Sequence, residues 1–231
     1  MADQTAQTMI QADQSGKCES MRIRGRNESW DSFCRDRGKR YAGCSFHGFR
    51  LEHDSQAKAV EILTHIDHGQ GIDQGTNIIW YGSKGTGKDH LMAATLRMAI
   101  ATVAIPVAGG ALDEFRTFTS QWVRGSDLFA ERRDGIETGQ SERDHVREYA
   151  SPELLMISDI IPVAGTLTPF QMDFLYRILD RRYSEMRSTW ITVNVSDRAE
   201  LENRCGPQIA DRLIDGAIAI GCDWPSYRKG K

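Results

Sequence analysis

The feature that most constrains this chain is a glycine-rich turn between an apolar run and a stretch of helical character. Residues 78–81 are continuously apolar, and Gly82, Gly87 and Lys88 then follow the spacing of a phosphate-binding loop, G-x-x-x-x-G-K. Glycine is needed because the backbone must adopt conformations costly for other residues while it approaches an anion. The loop N–H groups and the positive end of the next helix then form a site for phosphate oxygens. The sequence therefore predicts a nucleotide-binding strand, loop and helix rather than an ordinary turn.

Length, charge and apolar content limit the class of protein. The chain has 231 residues, enough for one or two domains with a sizeable core. Its net charge is −3, so contact with a nucleic acid requires a local basic face. No apolar run approaches the roughly 20 residues that a membrane span requires. Residues 1–16 also lack the apolar core of a secretory signal. We therefore expect no membrane contact.

Cysteine usage favours a reducing compartment. The five cysteines are scattered and form no C-x-x-C pair, which argues against a disulfide framework or a zinc site. We expect a cytoplasmic protein. The alternative is a metal site built from Cys34, Cys44, His47 and His53.

The chain divides into two regions at about residue 50. Residues 1–50 are a polar tail followed by a basic stretch with Trp30 and Phe33, which is either a solvated segment or an arm that docks a protein or phosphates. Residues 51–231 alternate apolar runs with helical patterns, as in a three-layer α/β domain with its ligand at the carboxyl ends of the strands. Ser55 and Ser126 are expected to cap helices, and Phe170 to lie on an apolar helix stripe. The predicted strands are 78–81, 121–123, 154–157, 189–195 and 217–222; the helices are 55–66, 90–103, 126–133, 142–149, 169–186 and 207–213; the loops include 69–75 and 106–119.

A nucleotide hydrolase needs metal ligands, an acid that orients water, a polar sensor and often an arginine from a neighbour. The chain offers a candidate for each of these roles. Asp159 follows the third strand and Asn194 ends the fourth, while Arg212 and Arg228 lie further along.

Four motifs in this order resemble a known family. They are Gly-Thr-Gly-Lys-Asp-His-Leu (85–91), Asp-Arg-Arg-Tyr (180–183), Ala-Asp-Arg-Leu (210–213) and Asp-Trp-Pro-Ser-Tyr-Arg (223–228). Over residues 40–228 the chain is similar to the DnaC/IstB-like branch of the AAA+ ATPases, the bacterial or phage helicase loaders. The resemblance implies a P-loop AAA+ domain over 51–231, with a five-stranded parallel sheet, little or no lid domain and a small N-terminal arm. It also implies ATP and Mg²⁺ binding, ATP-linked self-assembly on single-stranded DNA, and delivery of a DnaB-type replicative helicase through that arm.

The resemblance assigns roles to individual residues. Lys88 is the phosphate-loop lysine, Asn194 the first sensor and Asp159 the acid that orients water and approaches the metal. Arg212 resembles an arginine finger that acts across a subunit boundary; its alternative role is a salt bridge with Asp211 or Asp215. Arg228 is a candidate second sensor. The nucleotide is expected on Gly82, Ser83, Lys84, Gly85, Thr86, Gly87, Lys88, Asp89, His90 and Arg228, and single-stranded nucleic acid on Arg132, Arg133, Arg143 and Arg147, with Trp122 and Phe129 as stacking or core residues.

Three departures from the family pattern bear on activity. Ser158 stands where the family has the first of two acids, and a neutral hydroxyl is a poor magnesium anchor. Asp89 stands where a serine or threonine usually holds the metal, so we hypothesise that Asp89 replaces the missing carboxylate. The other interpretation is slow hydrolysis. In addition, Gly206-Pro207-Gln208 lacks an arginine that the family places near the subunit boundary.

The function predicted from the sequence is an ATP-binding helicase loader. The alternatives are a transposition helper ATPase, a hydrolysis-deficient adaptor gated by nucleotide, and a small-molecule kinase. The kinase is disfavoured because Arg212 and the final Trp-Pro-Ser-Tyr-Arg have no role in it.

Overall fold

A computed structural model describes residues 22–24, 26–108, 114–162 and 164–228. The predicted polar tail of residues 1–20 lies outside this range. In the described part, no helix is long and apolar enough to cross a membrane. The strands are β1 Arg22–Arg24, β2 Ile78–Gly82, β3 Ile105–Pro106, β4 Glu114–Arg116, β5 Ser120–Arg124, β6 Leu154–Ser158, β7 Ser188–Val193 and β8 Ile218–Cys222. The helices are α1 Arg26–Arg37, α2 Lys39–Ala42, α3 Asp54–His65, α4 His68–Asp73, α5 Lys88–Thr102, α6 Gly125–Glu137, α7 Glu142–Ala150, α8 Pro169–Ser184, α9 Arg198–Cys205 and α10 Pro207–Ile214.

The described residues form two compact units. One comprises the residues up to 69 together with 90–118, and the other comprises 70–89 together with the residues from 119 onward. The predicted domain boundary at residue 50 stays a prediction.

A five-stranded parallel sheet organises the unit that contains the phosphate loop. Its order is β5-β6-β7-β2-β8, so the strand before the loop lies between β7 and β8. Ile79 is level with Ile191 on one side and with Ala219 on the other. The central strands β6 and β7 are buried along their whole length, which explains their continuously apolar or β-branched sequence. The predicted α/β fold with five parallel strands is confirmed.

The core of this unit lies between one face of the sheet and the helices that cover it. Leu128 and Phe129 from α6, and Phe174, Leu175 and Ile178 from α8, belong to one cluster with the inward residues of the strands. Trp122 and Phe129 are 6% and 3% exposed, so both pack in the core and are not available for base stacking.

Several predicted helix ends were wrong for local reasons. Helix α3 is capped by His53 and Gln56 in a reciprocal capping box, and Ser55 lies inside it. Ser126 also lies inside its helix, where its hydroxyl bonds to Asp127. The predicted loop 69–75 contains the short helix α4. The sequence predicted a loop here because residues 69 and 71 are glycines, which have low helix propensity. Tertiary packing can override that propensity.

Two other expectations also need correction. Phe170 was expected on the apolar stripe of α8 but is 41% exposed, because it sits in the first turn of that helix. The predicted loop 106–119 contributes β4, which pairs with β1 in parallel and with β3 in an antiparallel arrangement. The extended backbone there is fixed by pairing with residues far away in sequence, which local patterns do not reveal.

The other unit holds the described part of the basic arm through aromatic packing. The Trp30 and Phe33 rings lie 5.0 Å apart, and Phe33 meets Tyr41 at 6.0 Å. The Arg97 guanidinium lies 5.4 Å from the Trp30 ring centre. The arm from α1 to α2 is therefore anchored by aromatic side chains, while Arg35 and Arg40 are exposed.

Arg182, in the Asp-Arg-Arg-Tyr motif of α8, is a buried link that the sequence did not predict. It is fully buried, and burial lowers its pKa to about 9. Its guanidinium donates to the carbonyl oxygens of Pro152 at 2.7 Å and Ala150 at 3.2 Å, and to the Thr189 hydroxyl at 3.0 Å. Arg182 therefore joins the C-terminal end of α7 to the start of β7.

We expect Arg182→Met to lower the free energy of unfolding by roughly 3–5 kcal/mol, because several buried acceptors lose their donor. Denaturant unfolding provides the measurement. The matched control is Arg181→Met, which removes only an ion pair with Glu185 between partly exposed side chains and should cost less than about 1 kcal/mol. Equal losses in the two variants would contradict the linking role of Arg182.

Candidate nucleotide-binding site

The phosphate loop is held in a conformation that requires its glycines. Gly82, Gly85 and Gly87 all have positive φ, at 130°, 78° and 89°. A Cβ atom at Gly82 would lie 2.3 Å from the Cys222 carbonyl oxygen. The loop is therefore formed at the carboxyl end of β2 by close approach to the neighbouring strand β8.

The Lys88 side chain is folded into the loop. Its ammonium donates to the carbonyl oxygens of Gly82 at 2.9 Å and Ser83 at 2.7 Å, and to the Asn194 side-chain oxygen at 2.9 Å. Burial lowers the pKa of Lys88, and the nearby carboxylates of Asp159 and Asp89 oppose that shift. A buried cation at this position is suited to phosphate oxygens.

Asp89, Thr192 and Asp159 are connected through one hydroxyl group. Thr192 donates to the Asp89 carboxylate at 2.8 Å and accepts from the Asp159 backbone N–H at 3.0 Å. Burial and the nearby Asp159 carboxylate raise the pKa of Asp89. The first turn of α5 and the carboxyl ends of β6 and β7 thus bring two acidic groups to the same place.

Asp159 and Asn194 are also in contact. The Asn194 amide donates to the Asp159 carboxylate at 2.8 Å, so Asn194 bridges this acid and Lys88. Asp159 has a φ of 48°, a conformation uncommon for a residue other than glycine and often found at functional sites. Arg204 donates to the Asn194 carbonyl oxygen at 2.8 Å and so fixes the backbone that carries the sensor candidate.

Ser158 points into the protein. It is 2% exposed, and its hydroxyl accepts a hydrogen bond from the Trp122 indole N–H at 3.1 Å. The acids available to a metal at this edge of the sheet are therefore Asp89 and Asp159.

These residues fit a magnesium-bound nucleoside triphosphate. A Cβ atom at Gly82 or Gly85 would clash with neighbouring atoms, so the backbone is bare at these two positions, and the Lys88 ammonium lies within the loop. Burial, and after it the Asp159 carboxylate, raise the pKa of Asp89, and a divalent cation beside the two acids would favour their charged forms. Asp89 and Asp159 would hold Mg²⁺, and the loop with Lys88 would hold the phosphates. Among the described residues, no group of three or more His, Cys, Asp or Glu side chains is placed to hold a metal ion.

The remaining predicted contacts of the nucleotide differ in position. Ser83 and Lys84 are exposed at the loop tip, and Thr86 is buried with its hydroxyl bonded to the Ser83 carbonyl. The Arg228 side chain would lie 3.2 Å from a Cβ atom at Gly85, so it borders the loop. The His90 ring nitrogen lies 2.9 Å from the Ser45 carbonyl oxygen, which commits this side chain to packing within the other unit.

Arg212 lies near the amino ends of β2 and β7, whereas the phosphate loop follows the carboxyl end of β2. It pairs with Asp180 at 3.1 Å and Asp211 at 3.5 Å, and its guanidinium lies 4.5 Å from the Tyr183 ring centre. Asp215, the other expected partner, accepts from the Tyr183 hydroxyl at 2.8 Å. This region borders a recess of about 380 Å³ near the amino ends of β2 and β7.

The four arginines expected to meet nucleic acid separate into two groups. Arg132 is 6% exposed and pairs with Glu142 at 2.8 Å, with its guanidinium 5.8 Å from the Phe174 ring centre. This arrangement favours a packing role for Arg132. Arg133 on α6 and Arg143 and Arg147 on α7 are exposed.

Sequence reasoning missed three residues that shape the site. Thr192 and Arg204 support Asp89 and Asn194, and Trp224 donates from its indole to the Thr86 carbonyl oxygen at 2.7 Å. Thr192 stands two residues before Asn194 on the same strand, which was an available signal. Trp224 lay within a quoted motif, but nothing local indicates that it reaches the loop.

Comparison with known proteins finds similar solved structures and similar curated sequences. The sheet and its phosphate loop are similar to those of solved structures. A crystal structure of the DnaC helicase loader matches at a TM-score of 0.66, with 20% identity over 80% of this chain and 99% of that one. A replication initiator DnaA bound to AMPPCP and single-stranded DNA matches at 0.58, with 16% identity over 79% of this chain and 50% of that one. These likenesses show the fold.

Sequence comparison finds curated relatives of related name. The chain is 27% identical over 199 residues to the replicative helicase loader DnaC of Buchnera aphidicola subsp. Schizaphis graminum, covering 82% of this chain and 71% of that protein. It is 24% identical over 191 residues to DnaC of Escherichia coli K12, covering 81% and 70%. No known family profile matches the sequence. The predicted resemblance to DnaC-like AAA+ proteins is confirmed.

We expect Asp89→Asn to remove most of the gain in ATP affinity that magnesium provides, by roughly 10- to 100-fold. The asparagine oxygen can still accept from Thr192, so the change removes charge and little else. ATP titrations with magnesium and with a chelator measure the effect, and Asp173→Asn on the exposed side of α8 serves as the control. An unchanged magnesium gain in Asp89→Asn would exclude Asp89 as the metal-site carboxylate.

Proposed function

We propose that this chain is an ATP-binding loader of a replicative DNA helicase. The observation that carries the proposal is the convergence of Lys88, Asp159 and Asn194 on one hydrogen-bonded network at the carboxyl ends of three parallel strands. A nucleotide on the loop replaces the contacts that Lys88 makes within the protein. The relatives named DnaC support helicase loading as the purpose of this ATP site.

In this proposal ATP controls self-assembly, and Arg212 acts in trans. Asn77 and Thr189, at the amino ends of β2 and β7, line the recess beside Arg212, whereas the phosphate loop follows the carboxyl end of β2. The ends of β2 are roughly 13 Å apart. This separation argues against contact between Arg212 and the loop of its own chain, and supports the proposal that Arg212, once released from Asp180, reaches a phosphate of a neighbouring copy. Such a finger contributes on the order of 10³- to 10⁵-fold in rate in other nucleotide hydrolases.

Single-stranded DNA is proposed to lie along the exposed arginines of α6 and α7. Arg143 and Arg147 are four residues apart, so both project from the same side of α7, and Arg133 is exposed on α6. These side chains supply positive charge to a chain whose net charge is −3. The helicase is proposed to dock on the basic arm. The protein is proposed to act in the cytoplasm.

The test is co-purification of the full chain with the replicative helicase of the same organism, with ATP and without it. We expect ATP-dependent capture, and we expect Lys88→Ala to abolish it because ATP affinity falls roughly 10- to 100-fold. Lys58→Ala, an exposed lysine on α3, controls for loss of positive charge.

A second set of variants tests the arm in the same experiment. Arg35→Glu with Arg40→Glu should lose the helicase while ATP binding is unchanged, and Arg50→Glu, also exposed, should retain it. Failure of the parent chain to bind ATP, or capture that is indifferent to both nucleotide and arm charge, would exclude the loader.

The site also favours a second candidate, a hydrolysis-deficient adaptor gated by nucleotide. The observation behind it is that Ser158 is neutral, buried and engaged by Trp122. In this case ATP binding alone would switch the chain between its states.

We expect slow phosphate release by the parent chain and a rise of roughly tenfold or more in Ser158→Asp, because a further carboxylate beside Asp89 and Asp159 strengthens the hold on the metal. Ser158→Asn has similar volume without the charge and should remain slow. Phosphate release with and without single-stranded DNA provides the measurement. Rapid turnover by the parent, with no gain in Ser158→Asp, would eliminate the adaptor.

A further inference from the structure

The segment after the last strand of the sheet is in contact with the phosphate loop. This segment, residues 223–228, is here called the C-terminal strap. The Trp224 indole N–H donates to the Thr86 carbonyl oxygen at 2.7 Å, and the Tyr227 backbone N–H donates to the Gly85 carbonyl oxygen at 3.0 Å. A Cβ atom at Gly85 would lie 2.1 Å from the Ser226 hydroxyl oxygen. Two successive peptide units of the loop are thus held from one side by the strap.

The orientation of these peptide units has a consequence for the loop N–H groups. In a trans peptide the C=O and N–H bonds point in opposite directions, and the described residues contain no cis peptide bond. The unit whose carbonyl is bound by Tyr227 carries the N–H of Thr86. The unit whose carbonyl is bound by Trp224 carries the N–H of Gly87. Both N–H groups therefore face away from the strap.

We propose that the C-terminal strap is a positioning element of the phosphate site, with Trp224 as its main residue. The strap orients the N–H groups of Thr86 and Gly87 toward the phosphates before nucleotide arrives. Donors that are already oriented need no rearrangement on binding, so more of their interaction contributes to affinity. Trp224 is 3% exposed and is anchored beside the loop, which suits it to this role.

The inference rests on the proposed function, since it assumes that the loop binds a nucleotide polyphosphate. It goes beyond that function by assigning a role to a residue that does not itself touch phosphate. Because the strap acts through backbone groups that meet phosphates, the affinity for ATP and ADP should depend on it. The part of the affinity that comes from the base and ribose should not depend on the strap.

The test measures binding of ATP, ADP and AMP to full-length variants, together with their melting temperatures. Trp224→Phe keeps an aromatic ring and removes the donor. We expect a loss of about 3- to 10-fold in affinity for ATP and ADP, present with and without magnesium, and a smaller loss for AMP. Trp190→Phe, at a buried position in β7, is the control for a lost indole.

A second pair of variants isolates the other donor. Tyr227→Ala and Tyr227→Pro both lose the ring, but only the proline variant loses the backbone N–H. We expect weaker ATP binding in Tyr227→Pro than in Tyr227→Ala at similar melting temperatures.

Three outcomes would overturn the inference. The first is parental ATP affinity in Trp224→Phe, and the second is a drop in stability and affinity that Trp190→Phe reproduces. In both cases the parent chain still binds ATP and the proposed function stands. The third is a parent chain without ATP affinity, which removes the proposed function and the inference together.

Discussion

The hydrogen bonds of the Lys88 ammonium are the interactions on which the site depends. A buried cation needs acceptors, and here they come from the loop itself and from Asn194 at the end of a neighbouring strand. These bonds draw the loop, the start of α5 and β7 together. The same ammonium can exchange carbonyl oxygens for phosphate oxygens with little change in its surroundings. The arrangement therefore stabilises the loop, and in the proposed function a nucleotide takes over the same contacts.

The acidic groups around this lysine differ from those of the family that the sequence resembles, in which two acids follow one strand. Ser158 contributes a hydroxyl that is used for packing, and Asp89 contributes a carboxylate from the first turn of α5. The proposed replacement of a strand-end carboxylate by Asp89 would keep the negative charge at the site on a different element. Thr192 connects Asp89 to the backbone of Asp159, so the two acids are positioned by one buried side chain. Ser158, by contrast, is buried and bonded to Trp122.

Different groups lie at the two ends of the parallel strands. The carboxyl edge carries the loop, Asp159 and Asn194. The amino edge carries Arg212 and the recess beside it. Arg182 supports this second edge from inside by bonding to carbonyl groups of two elements. The phosphate loop and Arg212 thus lie toward opposite ends of β2, as the proposed action of Arg212 on a neighbouring copy requires.

The order and type of the main elements could be predicted from the sequence because they follow from local patterns. A continuous apolar run before a glycine loop indicates a buried parallel strand, and five such runs separated by helical patterns are enough for the α/β sheet. Lys88, Asp159 and Asn194 follow strands at the edge where parallel strands deliver their ligands, so their proximity was also predictable. The helix at 68–73 and the pairing of β1 with β4 were not, because packing and distant backbone partners decide them.

Sequence by itself determined the class of fold, the phosphate loop and the branch of proteins that this chain resembles. Tertiary structure alone decided which way the side chains face. In the folded chain Ser158 contacts Trp122, and Arg212 pairs with Asp180. Arg132 is buried, and Trp224 bonds to the phosphate loop. The physical reason is that a residue type and its spacing fix what a side chain can bond to, whereas its partner is chosen by residues that folding brings close from far along the chain.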